Sequence, residues 1–207
     1  MLITVSRQLG AGGSLVAERV AQTLAFRLVD RALVDEVAAR AGVAPADVAS
    51  LEERTPGFLE RFLQASAAER PDVFVPAAGA FDPSEEARLV RATRALVREL
   101  AAEGRVVIVG RGAWAILARE PGALHARVVA PRPFRLVQLV TRLGVDAKAA
   151  PALLDRTDSE RTRYFREYYD LDVNDPAHFD LVLNSERLGT DGASDLIVAR
   201  ARALGAR

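Results

Sequence analysis

Near its start the chain places glycines and a hydroxyl residue directly after a short apolar segment. Residues 1–6 are mostly apolar and β-branched and predict a buried strand. Next comes Arg7-Gln-Leu-Gly-Ala-Gly-Gly13, then Ser14, then apolar residues whose spacing predicts a helix over 14–26. A strand, a glycine-rich turn and a helix bring backbone N–H groups together in an arrangement that binds phosphate.

The turn departs from the usual phosphate-binding pattern at its charged position. In G-x-x-x-x-G-K-[ST] a lysine precedes the final hydroxyl residue. Here Gly12 and Ser14 match, whereas Gly13 stands in place of the lysine and Arg7 in place of the first glycine. Arg7 is on the same loop and is therefore predicted to supply the missing positive charge. From the residues alone, a glycine-rich connection that binds nothing is the alternative.

Further polar residues follow two other predicted strands. Asp30 and Arg31 come after the short apolar pair Leu28-Val29, and Arg111 lies between two glycines after an apolar segment. Open α/β sheets bind ligands at the carboxyl ends of their strands, so Arg111 is a candidate site residue, and a surface arginine on a turn is the alternative. For Asp30 two interpretations stay open, a place in the site and a helix N-cap, which suits aspartate well.

An arginine-rich helical segment at 146–169 is the next candidate. On a continuous helix Arg156 and Arg163 fall in one broad stripe, and Arg161 points away from it. Considered alone, these charges fit a solvated helix held by pairs such as Glu160 with Arg163.

The elements that must position these residues alternate along the chain. Five strands are predicted, at residues 1–6, 28–30, 105–110, 124–130 and 179–184. Nearly continuous apolar strands that alternate with helices indicate an α/β fold with a parallel sheet covered on both faces. Prolines and a glycine at 71–83 predict a loop or hinge within the largely helical region 45–103.

Composition excludes several classes of protein. The 207 residues fit one domain, and 28 Lys+Arg balance 28 Asp+Glu, which argues against a generally basic nucleic-acid-binding surface. Without cysteine there is no disulfide, thiolate nucleophile or cysteine-bound zinc. No apolar run reaches the roughly 18 residues of a membrane span, and the start lacks the features of a secretory signal. We therefore expect a cytoplasmic protein that acts on a small molecule, with its oligomeric state open.

The segment Ile3-Thr-Val-Ser-Arg-Gln-Leu-Gly-Ala-Gly-Gly13 resembles the opening of the cytidylate kinase-like family. That family's loop runs S-R-x-x-G-x-G-G instead of the usual P-loop form. Three later segments agree with the family in the same order: Val29-Asp-Arg-Ala-Leu-Val34, Val107-Ile-Val-Gly-Arg-Gly-Ala113 and Asp180-Leu-Val-Leu-Asn-Ser185. Ser14 is a departure, because family members commonly carry an arginine there.

The resemblance implies a three-layer P-loop kinase fold over residues 1–207, with a five-stranded parallel sheet in the order 2-3-1-4-5. It also implies a helical acceptor-binding insertion at 43–83 and a lid at 146–170. The implied activity is transfer of the γ-phosphate of ATP, with Mg²⁺, to a nucleoside monophosphate, by default CMP or dCMP. Two alternatives stay open: a kinase of another small acceptor, and a nucleotide-binding regulator without catalysis.

The same resemblance gives each candidate residue a role. Donor phosphates would lie on the backbone N–H groups of Leu9, Gly10, Ala11, Gly12, Gly13 and Ser14, with the Ser14 hydroxyl toward magnesium. Charge that develops on the transferred group would be neutralised by Arg7 and by the lid arginines Arg156, Arg161 and Arg163. The acceptor would be held by Arg111, with Asp30 and Arg31 nearby.

Overall fold

The computed structural model describes residues 1–30 and 83–206, with side chains described from residue 90 onward in the helix that begins at Pro83. Its strands are β1 (Leu2–Arg7), β2 (Arg27–Val29), β3 (Val106–Val109), β4 (Ala123–Val129) and β5 (Leu181–Asn184). Its helices are α1 (Gly13–Leu24), α2 (Pro83–Glu103), α3 (Ala113–Ile116), α4 (Arg132–Leu143), α5 (Ala150–Tyr169) and α6 (Ser185–Ala203). Apart from its last residue, the predicted insertion at 43–83 lies outside the described residues.

The strands form one five-stranded parallel sheet in the order β2-β3-β1-β4-β5. This confirms the predicted order 2-3-1-4-5, with β3 directly beside β1. Parallel pairing puts the carboxyl ends of all five strands at one edge of the sheet. The turns that follow β1, β2 and β3, each with a candidate site residue, therefore lie at that edge.

Helices cover both faces of the sheet, as the apolar strands predict. On one face Ile3 and Val5 of β1 pack in a core with Val16 of α1 and Ile197 of α6. On the other face Ile108 packs in a second core with residues of α2 and α3. Burial of apolar surface on both sides of every central strand is the main stabilising term of this three-layer arrangement.

The segment predicted as a lid is a long helix, α5, that packs closely on its neighbours. Phe165 lies against Trp114, with ring centroids 5.0 Å apart, in an aromatic cluster that also includes Phe179 and Tyr164. Trp114 is only 2% exposed, so it is a core residue. Nearer its start, α5 packs on α4 through a separate apolar cluster that includes Leu139.

Two polar pairs occupy neighbouring positions on one face of β1 and β4. Thr4 and His125 are register partners, and the Thr4 hydroxyl hydrogen-bonds His125 Nδ1 at 2.7 Å. Burial lowers the pKa of His125 below its ordinary value, more than the nearby Asp180 raises it. Two residues further along, Ser6 pairs with Arg127, which brings a charged side chain into the interior beside the candidate site.

The last helix begins earlier than its apolar pattern predicts. The pattern indicates a start near residue 192, but α6 begins at Ser185, where the Asn184 side chain caps it by accepting a bond from Glu186 N–H at 3.0 Å. Gly189, with φ 68° and ψ 172°, interrupts the helix. Within the described ranges, no helix combines the length and the apolar character needed to cross a membrane.

Candidate active site

The loop between β1 and α1 is built to place backbone N–H groups around an anion. Gly10 and Gly12 have φ of 77° and 74°, a left-handed conformation that glycine adopts at no steric cost. A Cβ on Gly10 would also lie 2.7 Å from the carbonyl oxygen of Arg135, so no other residue fits there without a shift. No side chain caps α1, which leaves the N–H groups of its first turn to a ligand.

The side-chain stem of Arg7 lies where a side chain on Gly13 would have to begin. A Cβ on Gly13 would overlap Arg7 Cβ, and would lie 3.0 Å from Arg7 Cγ and 3.4 Å from Val128 Cβ. A side chain at position 13 and an arginine stem at position 7 are therefore mutually exclusive in this backbone. The stem of Arg7 starts where the stem of a P-loop lysine would start.

Two clefts meet at the loop. The loop cleft, of ≈ 450 Å³, has the glycine turn on one side and cations from three different elements around it, namely Arg7, Arg142 and Arg161. The side cleft, of ≈ 340 Å³, runs from Gly12 toward α4 and the start of α6, and shares Gln138 and Arg142 with the loop cleft. Each is within the size range of small-molecule sites, and the lining residues that they share make them neighbours in one groove beside the glycine turn.

Helix α5 brings one of its predicted arginines to the loop. Arg161 is 3% exposed and donates from Nη1 to the carbonyl oxygen of Arg7 at 2.7 Å. Arg156 and Arg163 lie on the opposite, exposed side of the helix, where they pair with Glu160 at 2.8 Å and Glu167 at 3.4 Å. The structure therefore places Arg161 beside Arg7 and leaves the other two outside the loop cleft.

The turn after β3 holds Arg111 in a constrained backbone. Gly110, Arg111 and Gly112 have φ of 70°, 57° and 66°. A positive φ is uncommon for a residue other than glycine, so the conformation of Arg111 is unusual. A Cβ on Gly112 would lie 2.8 Å from the Tyr169 hydroxyl, so the turn packs against the end of α5. Arg111 is 8% exposed.

Asp30 lies next to this turn at the sheet edge. It is half-buried and directly follows β2, which pairs with β3. Arg31 lies outside the described residues. Asp30 and Arg111 thus follow adjacent strands, whereas the loop after β1 follows the next strand across.

Four charged residues in this region were not singled out from the sequence: Arg142, which lines both clefts, and Arg127, Arg135 and Asp158. Arg127 in β4 is 4% exposed and donates to Ser6 Oγ at 2.9 Å and to Asn174 Oδ1 at 3.0 Å. Arg135 in α4 makes two bonds, of 3.1 and 2.8 Å, to the carboxylate of Asp158 in α5. An arginine inside an otherwise apolar strand pattern was the available signal for Arg127, since burying a charge is costly without partners.

The electrostatics around these arginines are unusual for protein interiors. Burial lowers the pKa of Arg127 to about 10, and the positive charge of Arg161 adds to this lowering. Asp158 and Asp172 act in the opposite direction but do not cancel it. The interior around Arg127 and Arg161, beside the loop, is thus positively charged and poorly solvated, which favours anionic ligands.

A model of the cytidylate kinase-like family matches residues 2–187 of this sequence. The chain belongs to that family. A cytidylate kinase of Staphylothermus marinus is 26% identical over 200 residues, which is 95% of this chain and 94% of that protein. A cytidylate kinase of Methanoregula boonei is 33% identical over 97 residues, 45% of this chain, and the match spans only 51% of the relative's length.

Solved structures agree on the fold. A protein from Eubacterium ventriosum has a TM-score of 0.70 at 21% identity, with 98% of this chain and 99% of that chain covered. Shikimate kinase from Bacteroides thetaiotaomicron has a TM-score of 0.55 at 17% identity, with 99% and 97% covered. The solved structures and the family assignment thus agree. The cytidylate kinase-like protein has the three-layer P-loop kinase fold.

Proposed function

We propose that this cytidylate kinase-like protein transfers the γ-phosphoryl group of ATP to a nucleoside monophosphate, with CMP or dCMP as the acceptor. The observation that carries the proposal is the loop itself. Two left-handed glycines, an uncapped helix N-terminus and an arginine stem in the lysine's space coincide on one turn. Phosphoryl transfer needs mainly positioning and positive charge from the protein, and this turn supplies both.

In the proposed mechanism the donor lies along the groove formed by the two clefts. The N–H groups of the loop, from Leu9 to Ser14, hold its phosphates, that of Ala11 once it releases its bond of 3.2 Å to the Gln8 carbonyl oxygen. The side cleft accommodates its nucleoside. Arg7 contacts the β- and γ-phosphates with a guanidinium that can bind two oxygens at once. Arg161 approaches the same phosphates from α5. These fixed cations stabilise charge as it develops on the transferred group.

The residues present fit a magnesium ion that arrives on the donor phosphates. Ser14 lines the loop cleft at the start of α1, and its hydroxyl is the group that would hold the ion. Mg²⁺ usually keeps several waters and takes few protein ligands beside phosphate oxygens, so a single hydroxyl suits it. When bound there, the ion would neutralise part of the negative charge of the donor phosphates.

The acceptor is proposed to lie at the sheet edge beyond β2 and β3. Arg111 would bind the phosphate of the acceptor. Asp30 would accept a hydrogen bond from a hydroxyl group of the acceptor or from a magnesium-bound water. Arg31 is proposed to contribute from the segment after Asp30. Arg156 and Arg163 are proposed to act on the donor only when α5 or its ion pairs rearrange, because both are paired on the exposed side.

An acceptor panel tests the proposal. ADP formation from ATP is measured with CMP, dCMP, UMP, AMP and non-nucleotide hydroxyl compounds, beside direct ATP binding. We expect CMP or dCMP to raise ADP formation well above the rate without acceptor. Tight ATP binding with no acceptor-dependent turnover would instead favour the nucleotide-binding regulator.

A matched pair of glycine variants separates the loop from general folding effects. Gly10→Ala introduces a Cβ 2.7 Å from a backbone oxygen, and Gly122→Ala has the same left-handed backbone, φ 74°, with open space around the new Cβ. We expect Gly10→Ala to lose ATP binding and turnover, and Gly122→Ala to keep both. Equal activity in the two variants would contradict the assignment of the loop as the donor site.

A further inference from the structure

A small polar cavity lies between β4, α5 and the first residue of the loop, next to the loop cleft, with which it shares Gln8 and Arg161. Its volume is ≈ 120 Å³, and its polar lining residues are Gln8, Arg127, Asp158, Arg161, Thr162 and Asn174. We call it the arginine cavity, because two of its walls are guanidinium groups that are 4% and 3% exposed. A space of this volume admits one phosphate-sized ion and is too small for a nucleoside, whose sites occupy about 300 Å³ or more.

The hydrogen-bonding groups left to a ligand in the arginine cavity are mostly donors. The side-chain oxygen of Gln8 accepts a bond from Ala130 N–H at 3.1 Å, and that of Asn174 accepts one from Arg127 at 3.0 Å. Each amide therefore has its NH₂ group to offer. The carboxylate of Asp158 is engaged by two bonds from Arg135. A ligand that accepts hydrogen bonds on several sides is the one that matches this lining.

The positive charge of the arginine cavity also favours an anionic ligand. Arg127 and Arg161 are buried close enough for the charge of one to lower the pKa of the other. Two guanidiniums in a poorly solvated space repel each other, and an anion between them is attracted to both. Planar guanidiniums also match the spacing of oxygens on tetrahedral oxyanions.

We propose that the arginine cavity is a binding site for a tetrahedral oxyanion of the phosphate type. The ligand is either the phosphoryl group of a bound nucleotide or free inorganic phosphate, which present the same oxygens. The existence of the site does not depend on catalysis. Only the assignment of a nucleotide as its source rests on the proposed function.

The site is tested with inorganic phosphate and the full chain saturated with ADP, which occupies the phosphate-binding loop. Phosphate binding is measured by isothermal titration calorimetry at constant ionic strength. Asn174→Asp replaces a donor with a carboxylate on an exposed side chain, so it adds a negative charge to the cavity without removing a buried arginine. Gln22→Glu, on the exposed side of α1, makes the same charge change far from the cavity and is the control.

We expect the parent and Gln22→Glu to bind one phosphate with similar affinity. Asn174→Asp should bind it at least about tenfold more weakly, as the loss of one hydrogen bond to a charged group predicts. Its Tm without phosphate should be no lower than that of the parent, because the new carboxylate faces two cations. No phosphate binding in the parent, or equal binding in Asn174→Asp, would overturn the proposal.

Competition then identifies the source of the phosphoryl group. Replacing ADP by a non-hydrolysable ATP analogue displaces phosphate if the cavity takes the γ-phosphoryl group, and adding CMP displaces it if the cavity takes the acceptor's. Phosphate that binds beside both marks a site for the free ion. Since binding is measured without turnover, an inactive protein that still binds phosphate would refute the proposed function and leave the site intact.

Discussion

Replacing Arg7 by glycine and Gly13 by lysine is expected to move the positive charge of this region to the position that it has in the usual P-loop pattern. With Arg7→Gly and Gly13→Lys together, residues 7–14 read G-Q-L-G-A-G-K-S, which satisfies G-x-x-x-x-G-K-[ST] at every fixed position. Gly13 is not among the glycines with positive φ, so its backbone accepts a lysine. The only obstacle that the structure presents at position 13 is the neighbouring side chains.

Each single substitution should be harmful for a different reason. Arg7→Gly or Arg7→Ala removes the proposed contact to the transferring phosphoryl group, and loss of such a contact typically costs about 10²–10³ in kcat, or roughly 3–4 kcal/mol. The accompanying loss of ATP affinity should be smaller. Arg7→Lys should recover only part, because it cannot bind two oxygens as a fork. Gly13→Lys alone forces its Cβ onto the stem of Arg7, an overpacking that costs about 1–3 kcal/mol of stability.

The double variant should be at least about tenfold more active than either single variant, a coupling of about 1.4 kcal/mol or more. The matched control is Arg7→Ala with Gly13→Lys, which keeps the Cβ at position 7 and hence the collision. The assay is kcat and KM for ATP with the best acceptor of the panel, with circular dichroism and Tm to verify folding. If Arg7→Ala turns over like the parent, Arg7 is not the cation. If the two double variants are equally active, the shared-space argument is wrong.

Three further predictions concern groups that hold the site. Asp158→Asn leaves the buried charge of Arg135 without its carboxylate and should lower the free energy of unfolding by about 1–3 kcal/mol. Urea denaturation measures this change. Replacing both Asp158 and Arg135 by apolar residues should recover stability. Gly112→Ala places a Cβ 2.8 Å from a tyrosine hydroxyl and should lose about 1–3 kcal/mol more stability than Gly122→Ala; equal losses would show that the contact is unimportant. Because burial lowers the pKa of His125, the unfolded chain takes up a proton first as pH falls below about 6.5. The parent should therefore lose stability between pH 7.5 and 5.5, and His125→Asn should lose less; parallel pH profiles would contradict this.

Within residues 1–30 and 83–206, local sequence was sufficient for the strands, the long helices and the glycine-rich loop. Apolar β-branched runs bounded by glycine have few alternatives to buried parallel strands, because both faces of such a strand must be covered. The position of Arg7 at the end of the first strand was visible in the residue order, although Arg7 is the last residue of β1 and not, as predicted, the first of the loop. The glycine in place of a lysine at position 13 was visible too. The strand order, in contrast, was taken from the family resemblance, since no residue pattern in one strand specifies its neighbours.

The sequence misplaced the start of the last strand, where tertiary contacts and not the local hydrophobic pattern set the boundary. The last strand was predicted from residue 179, but β5 begins at Leu181 because a short 3-10 turn at Pro176–His178 precedes it. The side chain of Asp180 then accepts a bond from His125 N–H at 2.7 Å. That partner is 55 residues away in the sequence, and no local rule includes it.

What the sequence by itself determined is the glycine-rich turn: which residues form it, that it follows the first strand, and that Gly13 stands where the P-loop pattern has a lysine. The tertiary structure decided which other charges reach it. Arg161 meets Arg7 across 154 residues, and Arg127 meets Ser6 across 121, so neither contact has a local signature. It also decided that Arg156 and Arg163, on the same helix as Arg161, lie outside the loop cleft. Helical spacing fixes which arginines share a face, but only packing against the sheet determines which face is buried.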